Sequence, residues 1–141
     1  MTGVRLREVA LPATVTVRGE PPVAANATGP VDGGLAVWLG PDEWLVLGAT
    51  EADYAHADAV VDVSASRVCF ELAGADAAAV LARGCSLDLD ALVPGRCAQT
   101  LLARVDVLLL RPEETTWRVL VRPSYAGYVR AWLEDALREV E

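Results

Sequence analysis

Residues 60–74 read VVDVSASRVCFELAG, and the alternation inside them decides the fold. Val61, Val63 and Ala65 fall on one parity, while Val68, Phe70 and Leu72 fall on the other. A strand has a side-chain period of two, so it cannot change its buried face without a kink or bulge, and the break is expected between Ser64 and Arg67. Downstream, Asp76 to Arg83 is alanine-rich, with Ala77, Val80 and Leu81 on one helical face, and Gly84 is placed to stop the helix at C′. The centre of the chain is therefore a strand feeding a helix.

Working outward toward the C-terminus, CAQTLLARVDVLLLRPEETTWRVLV (97–121) reads as extended chain, a Pro-Glu-Glu-Thr turn, and a returning strand from Trp117 to Val121. The last segment repeats apolar residues at helical spacing through Tyr125, Val129, Trp132, Leu133, Ala136, Leu137 and Val140. Ser124 is its expected N-cap behind Pro123, and Glu134 with Arg138 is the expected i,i+4 pair. Toward the N-terminus, LREVALPATVTVRG (6–19) gives two short alternating segments broken by Pro12, and residues 19–34, rich in Gly, Pro and small residues, read as a loop. LAVWLGPDEWLVLGA (35–49) holds two apolar runs around Gly40-Pro41-Asp42-Glu43, which predicts a hairpin. A short helix over Glu51 to Ala59 follows, with Thr50 as N-cap and Asp53 three residues on. Helices separating short antiparallel segments define an α+β fold, and the strand-helix-strand-strand-helix order of the second half resembles a ferredoxin-like, split β-α-β plait. At 141 residues the chain fits one domain, 1–141.

The formal charge is −8, and all 12 basic residues are arginine. These arginines are scattered, whereas a phosphate-backbone binder needs them clustered on one face, so nucleic acid is disfavoured as a partner. No run of about 18 apolar residues and no apolar stretch behind a basic N-terminus occurs, so a cytoplasmic protein outside the membrane is expected. The three cysteines, Cys69, Cys85 and Cys97, are odd in number and unevenly spaced, which fits thiols in a reducing compartment better than a disulfide framework.

Few residues point to chemistry. Cys85 and Cys97 belong to no CxxC, and the single histidine, His56, lies in another segment, so no metal site is expected. Asp88 and Asp90 lack the further oxygen ligands and glycine turn of a calcium loop, and are expected to be solvated loop carboxylates or to mark a helix start at Asp90. No G-x-S-x-G, P-loop, G-x-G-x-x-G or HExxH occurs, and no catalytic residue is assigned. Arg67, Arg96 and Arg122 each stand beside a strand end or kink, where a guanidinium could reach a carboxylate of this chain or another. Trp44 follows a turn, where an exposed indole would suit an interface, whereas Trp132 lies on an apolar helix face and is expected in the core. Trp44, Arg67, Arg96 and Arg122 are thus the interface candidates.

LGPDEWLVL (39–47), VDVSASRVCFELAGADAAAVLARGCSLDLDAL (61–92), GRCAQTLLARVDVLLLR (95–111) and LVRPSYAGYVRAWLEDAL (120–137) occur in this order. Together they resemble the gamma subunit family of heterotetrameric sarcosine oxidase, most specifically at GPDEWL, GC-x-LDL and CAQT. The resemblance implies the fold of the folate-binding part of aminomethyltransferases such as the glycine-cleavage T-protein. It also implies a non-catalytic assembly role in a complex that converts sarcosine, tetrahydrofolate and O2 to glycine, methylene-tetrahydrofolate and H2O2. FAD, FMN, NAD and tetrahydrofolate are then expected on partner subunits and no cofactor on this chain, the partners being the alpha and beta subunits, beta foremost. The alternative is a free-standing folate or one-carbon binding protein. A pterin needs a carboxylate or amide at its ring edge and an aromatic to stack on, and a glutamate tail needs arginine; Asp62, Gln99, Trp44 and Arg122 are the candidates.

Overall fold

The structure is a computed structural model that describes residues 3–140. In chain order its strands are β1 (Arg5–Val9), β2 (Thr14–Arg18), β3 (Thr28–Val31), β4 (Gly34–Gly40), β5 (Glu43–Leu47), β6 (Ala59–Asp62), β7 (Val68–Ala73), β8 (Arg96–Leu102), β9 (Val105–Glu113) and β10 (Thr116–Val121). Two α-helices, α1 (Ala77–Ala82) and α2 (Pro123–Val140), and two 3-10 turns, Glu51–Tyr54 and Leu89–Ala91, complete it. The chain condenses into two compact units, one built from the residues up to Ala10 together with those from Arg67 onward, the other from Leu11 to Ser66.

The first unit is a five-stranded sheet in the order β1-β7-β10-β9-β8, every neighbouring pair antiparallel. On one face, Phe70, Leu72, Val107, Leu109, Trp117 and Val119 pack with Ala77, Val80 and Leu81 of α1 and Val129, Leu133 and Ala136 of α2. Each large side chain so buried contributes roughly 1.5–3 kcal/mol. The second unit is another antiparallel five-stranded sheet, β3-β4-β5-β2-β6, with Val15, Val17, Ala36, Trp44 and Val46 forming its own cluster. Among the described residues no helix is long and apolar enough to cross a membrane.

The α+β class holds. Its connection through α1 is wider than a single-strand split, because β10 and β9 both lie between β7 and β8, and these two therefore run antiparallel. The parity change at residues 60–74 has a different cause from the bulge expected. Ala59–Asp62 pairs with β2 in one sheet and Val68–Ala73 pairs with β1 and β10 in the other, so the two parities belong to two sheets.

The hairpin at Gly40–Glu43 forms as expected. The presumed loop at 19–34 contains β3, which pairs with β4 through a turn where Gly33 takes φ 79°, a region open to glycine. The helix expected over Glu51 to Ala59 shortens to one 3-10 turn, in which the Thr50 N–H donates to Asp53 Oδ2 at 2.8 Å. Pro112 lies within β9, and the chain reverses at Glu114–Thr115. Helix α2 starts at Pro123, and its pairs within the helix are Arg130 with Glu134 at 3.3 Å and Arg138 with Asp135, in place of Glu134 with Arg138. Gly84 is absent from the residues with positive φ; its role is steric, since a Cβ there would stand 2.5 Å from Trp132 Cζ2.

Candidate subunit-contact surface

The sequence-derived candidates fall into both units. Trp44 on β5 is buried, correcting the expectation of an exposed indole. Its ring meets Tyr54 edge-on at 6.3 Å and 78°, and its Nε1 has no hydrogen-bond partner among the described residues. A buried indole offers neither contact area to a partner nor an open face to a pterin. Asp62, at the end of edge strand β6, is exposed, but its Oδ1 accepts from the Ser64 N–H at 2.9 Å and from Ser64 Oγ at 2.6 Å. Those bonds, side chain first and backbone second, hold its carboxyl below the usual range.

The other candidates lie in the first unit. Gln99 is exposed on edge strand β8. Arg67 and Arg122 flank the paired rung Val68–Val121 and so come to one end of the sheet, whereas Arg96 pairs in register with Arg111, four positions along β8 from the Thr100 that shares the Val121 rung. Trp132, expected in the core, is half-buried and packs against it from the side.

All three cysteines are buried. Burial, with a smaller contribution from Glu71 and against the opposing pull of Arg118 and Arg7, pushes the Cys69 thiol up to about 11, so it stays a packing group. Among the described residues no three His, Cys, Asp or Glu side chains gather to hold a metal ion.

Sequence reasoning missed the surface at the β8–β9 hairpin. Ala103 and Arg104 form its two-residue turn with φ 51° and 71°, the left-handed values that a type I′ hairpin requires and that Asn-Gly usually supplies. Without glycine or asparagine the turn leaves no composition signal, and LLARVDVL reads as one extended run. Two bonds pin it: the Ala103 N–H donates to Gly84 O at 2.9 Å, and Tyr128 Oη donates to Ala103 O at 3.1 Å. Beside it opens a cleft of about 560 Å³, lined by Gly84, Cys85, Leu101, Arg104, Tyr128 and Trp132 among others. Leu101 and Tyr128, each 53% exposed, give this cleft an apolar wall.

This pair of antiparallel sheets, with helices on a face of the first, is the fold of an aminomethyltransferase-like protein. Aminomethyltransferase T of the glycine cleavage system from Bartonella henselae superposes on 94% of this chain and 45% of its own with a TM-score of 0.70, at 15% identity, which shows shared fold alone. The model of the sarcosine oxidase, gamma subunit family matches residues 9–139, and the chain belongs to that family. The sarcosine oxidase subunit gamma of Corynebacterium sp. strain U-96 is 37% identical over 140 residues, covering 90% of this chain and 67% of the relative. A chain of the heterotetrameric sarcosine oxidase from Corynebacterium sp. U-96, solved in complex with pyrrole 2-carboxylate, is 33% identical with a TM-score of 0.85, covering 96% of this chain and 84% of that one.

Proposed function

We propose that this chain is the gamma subunit of a heterotetrameric sarcosine oxidase, acting in assembly or stability and carrying no active site of its own. Its partners are the alpha and beta subunits, beta foremost, and its place of work is the cytoplasm. FAD, FMN, NAD and tetrahydrofolate sit on those partners, where sarcosine is oxidised to glycine, its methyl carbon passes to methylene-tetrahydrofolate and O2 becomes H2O2. The observation that carries this reading is the likeness, over 96% of the chain at 33% identity, to a chain of an assembled heterotetramer. The nature of the candidate surface agrees with it, because exposed apolar side chains next to a cation are what a subunit contact needs, while the three cysteines are buried and the Asp62 carboxylate is bonded to Ser64.

The test is co-expression with the other sarcosine oxidase subunits from the same source. Size-exclusion chromatography and a sarcosine-dependent peroxide assay are run with and without this chain. Co-elution with a flavin-bearing complex, and loss of assembly or activity when the chain is omitted, is the expected result. Separate elution with unchanged activity would reduce the family likeness to fold and leave the assembly role unsupported.

A further inference from the structure

We infer that the cleft beside the β8–β9 turn seats a partner-chain segment bearing a carboxylate next to an apolar side chain, the carboxylate meeting Arg104 and the apolar group meeting Leu101, Tyr128 and Trp132. This rests on the assembly reading above and deepens it by naming the surface and the chemistry of what it receives.

Three observations converge there. First, Arg104 occupies a left-handed position, φ 71°, next to Ala103 at φ 51°, where glycine or asparagine would be relaxed and a long side chain is strained. The turn keeps that geometry because Gly84 O and Tyr128 Oη hold it from both sides. The absence of a Cβ at Gly84 lets the Trp132 ring close over it.

Second, Arg104 is exposed and has no partner among the described residues, whereas Arg7, Arg18, Arg83, Arg111, Arg118, Arg130 and Arg138 all pair with carboxylates. Arg5, Arg96 and Arg122 likewise form no ion pair among the described residues, and Arg104 is the one of them that lines the cleft, so the complement it offers there is to an anion. Arg67 and Arg122 come to this same end of the sheet, since the Val68–Val121 rung runs on through Val107 to Thr100, two residues before β8 ends.

Third, the guanidinium does not stand alone. Leu101 and Tyr128, each 53% exposed, and half-buried Trp132 line the same cleft. A free inorganic anion has no use for that apolar wall, while a peptide segment with an acidic residue beside an aliphatic or aromatic one uses both parts.

The experiment is the co-expression above with Arg104→Glu, Leu101→Glu and Arg104→Gly, and with Arg5→Glu, an exposed arginine on β1, as the charge control. Arg104→Glu and Leu101→Glu are each expected to weaken association on the order of tenfold or more, with Arg5→Glu near wild type. Arg104→Gly removes the cation while relaxing the turn, so its Tm should rise as its association falls, which separates lost contact from lost fold. Hydrogen exchange on the wild-type complex gives a reading free of variants: amides at 84–86, 101–104 and 128–132 should slow on assembly. If wild type assembles and Arg104→Glu and Leu101→Glu match Arg5→Glu, or exchange at these segments is unchanged, the cleft is not the contact and the assembly reading survives alone. If wild type by itself dimerises and Leu101→Glu dissolves the dimer, the occupant is a second copy and the inference is overturned. If wild type does not assemble at all, the assembly reading falls and takes this inference with it.

Discussion

Glu71 lies in register with Arg7 on β1 and Arg118 on β10, so one carboxylate joins three strands. Its Oε2 accepts from Arg7 Nε at 2.8 Å and its Oε1 from Arg118 Nε at 3.2 Å. Burial raises its pKa, but the two hydrogen bonds and the two positive charges outweigh that, and the net result lies below the ordinary value of 4.5. For a carboxylate whose folded pKa is depressed, the stabilisation is fully present above the unfolded value and is lost as pH falls through the folded one. Wild type should therefore lose stability relative to Glu71→Gln as the pH drops below about 4.5, the ordinary value, with the gap closing once the folded value is passed. Because the arginines are partly solvated, the gap at pH 7 should be about 1–2 kcal/mol. Urea midpoints of the two proteins at pH 7, 5, 4 and 3 measure it. A constant difference across that series would mean that the carboxylate is not the titrating group.

At the level of elements, the contact between the end of α1, the β8–β9 turn and α2 depends on Gly84. A methyl group there would stand 2.5 and 2.7 Å from two Trp132 ring atoms and 3.2 Å from the Ala103 nitrogen. The indole can tilt toward solvent, but the Ala103 N–H is held to Gly84 O, so relief is partial and Gly84→Ala should cost about 1–3 kcal/mol. The cost has a signature. If the ring is the obstacle, Trp132→Leu should recover part of it, and thermal melts of the two single variants and the double should give a less than additive sum. Strict additivity would place the strain elsewhere. Residue chemistry makes part of this geometry readable: the Gly40-Pro41 hairpin, the alanine-rich α1 and the amphipathic α2 carry their own local signals. The Ala103-Arg104 turn carries none, because its left-handed backbone is imposed by Gly84 and Tyr128, distant in sequence, and not by turn residues. For the same reason β3 hides inside a Gly/Pro-rich stretch, its strand character coming from pairing with β4.

Across the whole molecule, the parity switch at residues 60–74 is legible while its meaning is not, since alternation reports which face is buried and not which sheet buries it. The candidate site follows the same limit. Arg67 and Arg122 are readable as strand-end arginines, but burial of Trp44 depends on the Val15, Val17 and Tyr54 packing that only the folded sheet supplies. This bears on folate, which the likeness in fold to an aminomethyltransferase brings to mind. Fold alone does not carry binding. Trp44 gives its ring to its own cluster, the Asp62 Oδ1 accepts two bonds from Ser64, and neither is left as an open stacking face or an unengaged acceptor at Oδ1 for a pterin. Calorimetric titration of the isolated full chain with tetrahydrofolate should therefore show no saturable heat, and Trp44→Phe should leave the trace unchanged. Saturable heat that Trp44→Phe abolishes would instead require the second sheet to open around the indole, and would move this chain from an assembly component to a folate binder in its own right.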